Sequence, residues 1–253
     1  MGILQDRVAI VTGASSGAGH GTARRFAEEG AIVVASARRK ERLDALVKDI
    51  KAKGGRAIAV PCDLSNEDEI DNVVQTTISE FGKVDILANI GQGALDQQAY
   101  INEVNRQNAF DAYIGGPLQT VLFMQKCFPH MKERNYGRII NCGSQSALMG
   151  LPGFASYEMA KAAIQALTRT ASQEWAQYGI STNVVLPAHW SDALENTPQG
   201  IAAGKAAAES SPMGRLGTPY EDVSPIIAFL ASEPAGYING QSIAIDGGLR
   251  LIA

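Results

Sequence analysis

The sequence predicts an α/β fold, with one doubly wound parallel sheet and helices on both faces. Three observations predict it. Short β-branched apolar runs recur along the chain, helical patterns separate them, and neither a linker-like shift in composition nor an internal repeat interrupts the 253 residues. Short continuous apolar strands alternating with helices suit a parallel sheet buried on both sides. With 45% hydrophobic and 19% charged residues, the chain holds apolar material for one large core. α/β chains of this length commonly form one unit, so residues 1–253 are read as a single domain.

The elements follow in order. Residues 7–12 are a strand-like apolar run, and 17–29 carry Ala23, Phe26 and Ala27 at helical spacing. Residues 31–36 read as a second strand, followed by a charged amphipathic helix over 41–53. Strands are expected at 56–61 and 84–89, separated by a helix over 66–81 with an acidic first turn. The second half continues with a helix over 115–133, a strand at 137–142, a long helix over 153–178 and a strand at 180–186. A helix near 220–230 precedes a last strand at 241–245. Residues 188–217 differ, being rich in Ala, Ser, Gly and Pro without a strand signal. Ligands of open α/β sheets bind beyond the C-terminal strand ends. A long segment leaving such an end is expected to serve as a substrate lid.

Charge and composition narrow the partners. A formal net charge of −4 argues against nucleic acid or an anionic membrane, since both reward a basic face. Residues 1–6 lack the basic and apolar regions of a secretory signal. Asp6 stands where a myristoylation pattern needs Ser or Thr, and no apolar run reaches the ~18 residues of a membrane-spanning helix. Cys62, Cys127 and Cys142 are odd in number and never at CxxC spacing. Reduced thiols in a cytoplasmic protein, with no metal site, are expected.

The motif Thr12-Gly13-Ala14-Ser15-Ser16-Gly17-Ala18-Gly19 joins the first strand to the first helix. Glycines let the backbone turn tightly and approach a diphosphate, and a helix N-terminus offers the anion unpaired N–H groups and a positive dipole end. At this place in a βαβ unit, the pattern points to a dinucleotide. Its Gly-x-x-x-Gly-x-Gly spacing, together with Ser144 and the segment from Tyr157 to Lys161, resembles the short-chain dehydrogenase/reductase family, on its 3-oxoacyl reductase and ketoreductase side. The resemblance spans nearly the whole chain and implies a Rossmann-type sheet and a nicotinamide cofactor.

In that family a carboxylate at the end of the second strand selects NAD. The matching position here is Ala37, followed at once by Arg38 and Arg39. A carboxylate would repel a 2′-phosphate, whereas a guanidinium holds one by charge-assisted bonds, so NADP(H) is expected. Asp63 and Leu64 resemble the family's pair beside the adenine. Ala88-Asn89-Ile90-Gly91 resembles its Asn-Asn-Ala-Gly, keeping Asn89 and Gly91. Asn89 reads chiefly as a support of the central sheet and the cofactor floor.

Tyr157 and Lys161 lie four apart in the long helix and so share a face. Ser144 follows the strand at 137–142. Reduction of a ketone adds hydride at carbon and a proton at oxygen. A free phenol titrates near ~10, and a neighbouring ammonium favours the phenolate. The resemblance implies Tyr157 as general acid/base, Ser144 as the hydroxyl that orients the substrate oxygen, and Lys161 as modulator of the phenol and ligand of the nicotinamide ribose. Hydride transfer belongs to the cofactor. Pro187-Ala188-His189-Trp190 aligns with the family's Pro-Gly segment, so Pro187 and Trp190 are expected at the nicotinamide, with His189 lining the pocket.

Some positions depart from the family. Its Gly is Ala188 here, its downstream Thr is Asp192, and its additional catalytic Asn falls on Gly116, or on Pro117 with one residue of slippage, within Gly115-Gly116-Pro117, with Asn105 and Asn108 too far upstream to replace it. Gly and interior Pro disfavour a helix, while Pro suits a first turn. The helix is therefore expected to begin or kink near Gly116 and to leave space for a water, held by freed carbonyls, beside Lys161. The terminal Ile245-Asp246-Gly247-Gly248 matches segments that the family packs between subunits, implying a homotetramer. The reading is an NADP(H)-dependent oxidoreductase interconverting a ketone and a secondary alcohol. Within that class, a 3-oxoacyl-carrier-protein reductase would dock its acidic carrier on basic residues, and Gln173 stands at one such position. A different class is a non-catalytic NADP(H)-binding sensor or scaffold, which the missing Asn favours and the retained Ser144, Tyr157 and Lys161 oppose.

Overall fold

The computed structural model describes residues 2–93 and 99–250. Its first half alternates β1 (Val8–Thr12), α1 (Gly17–Glu28), β2 (Ile32–Ala37), α2 (Lys40–Ala52), β3 (Arg56–Pro61), α3 (Glu67–Phe81) and β4 (Ile86–Asn89). The second half holds α4 (Arg106–Tyr113), α5 (Gln119–Glu133), β5 (Gly137–Cys142), α6 (Ala155–Trp175), β6 (Ile180–Pro187), α7 (Asp192–Glu195), α8 (Pro198–Ser210), α9 (Ser224–Ala231) and β7 (Ser242–Ile245). The described strands form one parallel sheet in the order β3-β2-β1-β4-β5-β6-β7. The order reverses between β1 and β4, and this switch point opens a crevice at the carboxyl ends of the strands.

Alternation along each strand divides the core between the two faces. In β1, Ala9 and Val11 belong to the core cluster that holds Phe26, Leu46 and Ile227, whereas Ile10 belongs to the one that holds Val74, Phe123 and Met124. All five residues of β1 are buried, which accounts for the unbroken apolar run Val8–Val11 within it. The predicted strands and the long helix therefore stand where the sequence places them, within a few residues.

The segment before β5 differs from expectation. The helix does not begin at Gly116; it starts at Arg106 as α4 and continues into α5, and the irregularity near Gly116 is a π-turn over Ile114–Leu118. Asn105 and Asn108 set the start, each side-chain oxygen accepting from the other residue's backbone N–H at 2.9 and 3.2 Å. Pro117 lies inside the π-turn. A π-turn shifts the hydrogen-bond pattern by one residue, and this wider turn accommodates the N–H that Pro117 lacks.

Residues 188–217 carry α7 and α8 and no strand beyond a single bridge. That bridge pairs His189 with Gly217, with Trp190 N donating to Gly217 O at 3.0 Å and Gly217 N to Ala188 O at 3.1 Å. The segment thus leaves and re-enters the fold at one place. No described helix is long and apolar enough to cross a membrane.

Candidate active site

The glycine loop closes over the switch point by contacts that exclude side chains. Gly13 has φ +69°, and a Cβ there would lie 2.7 Å from Gly91 Cα. A Cβ on Gly19 would lie 2.3 Å from Gly13 O. Thr12 Oγ1 accepts from the N–H groups of Ile90 and Gly91 at 3.1 and 3.0 Å, tying the end of β1 to the end of β4. At the start of α1, Ser16 makes no side-chain cap, so the first N–H groups of the helix keep their anion-binding capacity. The loop, the uncapped helix end and the absent Cβ atoms fit a dinucleotide diphosphate.

These residues line an open cleft of about 960 Å³. Gly13, Ser15, Ser16, Gly17, Ala18 and Gly19 form its floor, with Ala37, Arg38, Arg39, Asp63, Leu64 and Gly91 at one end. Ser144, Tyr157, Lys161, Pro187 and His189 line the other. Ala37 is buried while Arg38 and Arg39 are exposed at the mouth. Arg39 reaches back over the loop, its Nε and Nη2 donating to Ser15 Oγ at 3.1 and 2.9 Å and its Nη2 also to Ser16 Oγ at 2.6 Å. Asp63 turns toward Ser65, accepting from its N–H and hydroxyl at 2.9 and 2.8 Å. The Ser65 N–H, aided by its hydroxyl, holds the Asp63 carboxyl below the usual range against a smaller effect of burial.

The other end is built by α6 and the turn after β5. Ser156, Ala160, Ile164, Gln165 and Thr168 form a buried stripe of α6, and Lys161 is 3% exposed beside it. Burying an ammonium demands compensation; Lys161 Nζ donates to Cys142 O at 2.7 Å and stands 5.7 Å from the centre of the Tyr157 ring. The Phe154 ring meets Tyr157 edge-on at 6.4 Å. Glu158 fixes the approach to the helix by accepting from Leu151 N at 2.7 Å. Ser144 begins a short 3₁₀ turn, with its hydroxyl 2.8 Å from Ser146 Oγ and accepting from Ser146 N at 3.2 Å.

Two expected ligands lie elsewhere. Asn89 is absent from the cleft wall; it is 2% exposed and donates to Asn141 Oδ1 at 3.0 Å, the sheet-supporting role read from the sequence. Trp190 also leaves the cleft wall, and a Cβ on Gly204 would meet its ring at 2.5 Å. Successive side chains beyond β6 point to opposite sides, so His189 faces the cleft and Trp190 packs on α8. His189 Nδ1 lies 2.6 Å from Trp190 O; a carbonyl only accepts, so Nδ1 carries the proton and Nε2 remains an acceptor. Burial lowers the pKa of this imidazole, outweighing the opposite pull of that bond.

Gln92 was missed by the motif comparison because it follows the matched Gly91. A Cβ on Gly116 would lie 3.1 Å from Gln92 Nε2 and 3.3 Å from Ala160 Cβ. The Gln92 carboxamide therefore packs against Gly116 beside the π-turn. Gly115 O already accepts from Gly93 N at 2.9 Å, and Gly116 O from Thr120 Oγ1 at 2.9 Å. Each of these two carbonyls has one protein donor and keeps a second lone pair. Asp192 and Asn196 join the wall from the segment after β6.

A parallel sheet with its cleft at the switch point is the Rossmann-type class of α/β protein. A family profile described as enoyl-(acyl carrier protein) reductase matches residues 13–250. The 3-oxoacyl-[acyl-carrier-protein] reductase of Thermotoga maritima is 34% identical over 248 residues, covering 97% of this chain and 98% of that protein. That of Synechocystis is 36% identical over 253 residues, covering 98% and 99%. Among solved structures, YwfH, described as an NADPH-dependent reductase involved in bacilysin biosynthesis, superposes with a TM-score of 0.90 at 25% identity, covering 98% of this chain and 100% of that one. The chain belongs to the short-chain dehydrogenase/reductase family, on its ketoreductase branch.

Proposed function

We propose that this chain is an NADP(H)-dependent reductase of a ketone, or the dehydrogenase of the corresponding secondary alcohol, with residues 188–217 as its substrate lid within a single domain. The observation that carries the reading is the buried Lys161 beside Tyr157, with Ser144 on the same cleft. The loop from Gly13 to Gly19 would hold the diphosphate at the α1 N-terminus. Arg38 and Arg39 would hold the 2′-phosphate, and Asp63 and Leu64 would flank the adenine. When bound, the nicotinamide supplies or accepts the hydride.

The protein's own part is positioning and proton transfer. Ser144 donates its hydroxyl proton toward the substrate oxygen and fixes its place. Tyr157 delivers a proton to that oxygen during reduction and takes one during oxidation. Lys161, anchored on Cys142 O, keeps positive charge beside the phenol and offers its remaining protons to the nicotinamide ribose hydroxyls. His189 Nε2 provides an acceptor at the same end of the cleft.

The names of the relatives make a 3-oxoacyl thioester the first substrate class to examine, beside free ketones. The family resemblance also implies a homotetramer. Steady-state oxidation of NADPH and NADH across both substrate classes tests the reading. Turnover with NADPH favoured by at least about tenfold, worth roughly 1.4 kcal/mol, supports it. The second reading, a sensor without turnover, draws on Gly116, which lacks the family's carboxamide. Tight NADPH binding with no turnover of any carbonyl or alcohol supports that reading and overturns the first.

A further inference from the structure

The geometry points to Asp192 as a specificity-determining residue, an internal anion that competes with the cofactor's 2′-phosphate for Arg39. The inference rests on the NADP(H) reading above. Asp192 is the first residue of α7, at the foot of the segment that leaves β6. Its Oδ2 lies 3.4 Å from Arg42 Nη1 and 4.0 Å from Arg39 Nη1. Asp192 and Arg39 both line the cleft.

The orientation of Arg39 gives the contact its meaning. Nε and Nη2 of its guanidinium are engaged by Ser15 and Ser16, and its Nη1 faces the carboxylate of Asp192. A phosphate reaching the mouth of the cleft needs that same edge. It brings more charge and more acceptor oxygens than a carboxylate, so it can displace Asp192. The arginines are only partly covered, with side-chain exposures of 46% and 55% against 44% for Asp192. Ion pairs this exposed are weak, which sets the competition at a modest factor. A cofactor without the 2′-phosphate leaves the pairs intact. Linkage is reciprocal: whatever affinity Asp192 takes from the phosphate, the phosphate takes from the contact that holds the foot of α7. The residue therefore moderates the preference for the phosphorylated cofactor and ties its presence to the position of the lid.

The test measures dissociation constants of NADPH and NADH for the wild type, Asp192→Asn and Asp192→Glu by nucleotide fluorescence at fixed ionic strength. Asp192→Asn is expected to tighten NADPH about three- to fivefold, equivalent to roughly 0.7–1 kcal/mol, and NADH by less than about twofold. Asp192→Glu retains the charge and is expected to keep the wild-type ratio. The gain should shrink as salt is raised, because the groups are exposed. Unchanged or weaker NADPH binding in Asp192→Asn overturns the inference. Equal tightening of both cofactors also overturns it, since the carboxylate would then act only on the diphosphate they share. The wild-type ratio judges the NADP(H) reading by itself: no preference for NADPH there would sink that reading, whereas the change between variant and wild type judges Asp192.

Discussion

The ammonium of Lys161 donates to the carbonyl oxygen of Cys142 at 2.7 Å, joining the long helix α6 to the last residue of β5. This bond sets the height of the cation above the cleft. Lys161→Ala is expected to lower turnover and cofactor affinity together, because one group serves both. It also leaves a partly buried carbonyl without its donor, at about 1 kcal/mol of stability. Parallel measurement of kcat, NADPH affinity and urea unfolding checks this. Loss of stability alone, with both functional constants intact, would refute the assigned role.

Tyr157→Phe keeps the ring and its edge-on contact with Phe154 and removes only the hydroxyl. General acid/base groups contribute about 10²–10⁴ in rate. Turnover should fall by that amount while NADPH still binds, measured by single-turnover absorbance and by fluorescence titration. Wild-type turnover in this variant would eliminate Tyr157 as the proton donor.

Cofactor choice should reverse in the double variant Ala37→Asp, Arg38→Leu. Ala37 lines the cleft at the end of β2, where a carboxylate reaches ribose hydroxyls and repels a 2′-phosphate. The ratio of kcat/KM for NADPH over NADH is the readout, and it should cross from above about ten to below one.

Gly116→Asn should destabilise the protein modestly, by about 1 kcal/mol, as expected of forced packing. A Cβ there approaches Gln92 and Ala160 to 3.1 and 3.3 Å. Adding Gln92→Ala vacates that space and should restore most of the loss. Thermal unfolding of the two single variants and the double reads the coupling between the positions. The pH profile of turnover is expected to change only slightly in Gly116→Asn, and strict additivity would show that the two positions do not meet.

The acid limb of stability has an identifiable contributor. Arg215 Nη1 and Nη2 donate to Asp222 Oδ2 and Oδ1, each at 2.7 Å, and chiefly through these bonds the Asp222 carboxyl is held down at about 2. The folded state therefore binds its proton later than the unfolded chain, whose carboxyl titrates near ~3.9. This stabilisation is complete above about pH 4 and is lost as pH falls toward 2. Asp222→Asn should flatten the stability profile in that window and lower stability at pH 7, as followed by denaturant titration at stepped pH.

Much of this architecture is legible in the sequence because local and global signals agree there. The run from Val8 to Val11 is apolar throughout and, with Thr12, fully buried, and the glycines at 13 and 19 stand where Cβ atoms would collide with backbone. The cluster of Ser144, Tyr157 and Lys161 follows from helical spacing and one strand end. The helix Arg106–Tyr113 was not legible, because its start depends on a reciprocal pair of Asn side chains and its continuation on a π-turn around Pro117. A local rule against interior proline points the other way. Trp190 reads as a cleft residue by alignment, but the alternation of side chains past β6 turns it onto Gly204. Gln92 reaches the cleft through tertiary packing that no motif records, whereas Asp192 stands where the family's pattern has a Thr.

The bridge between His189 and Gly217 has a consequence for how this chain can change over time. The residues between those positions depart from and rejoin the scaffold at adjacent points, and the Arg215–Asp222 pair clamps the return beside Thr218, whose N–H donates to Asp222 at 2.7 Å. Lengthening a flexible loop whose ends are already held together is cheap, about 0.6 kcal/mol for each doubling. The excursion can therefore be rewritten, extended or exchanged for that of a relative with little demand on the sheet beneath it. Selection can act on this one stretch of chain while the described strands beneath it are inherited unaltered.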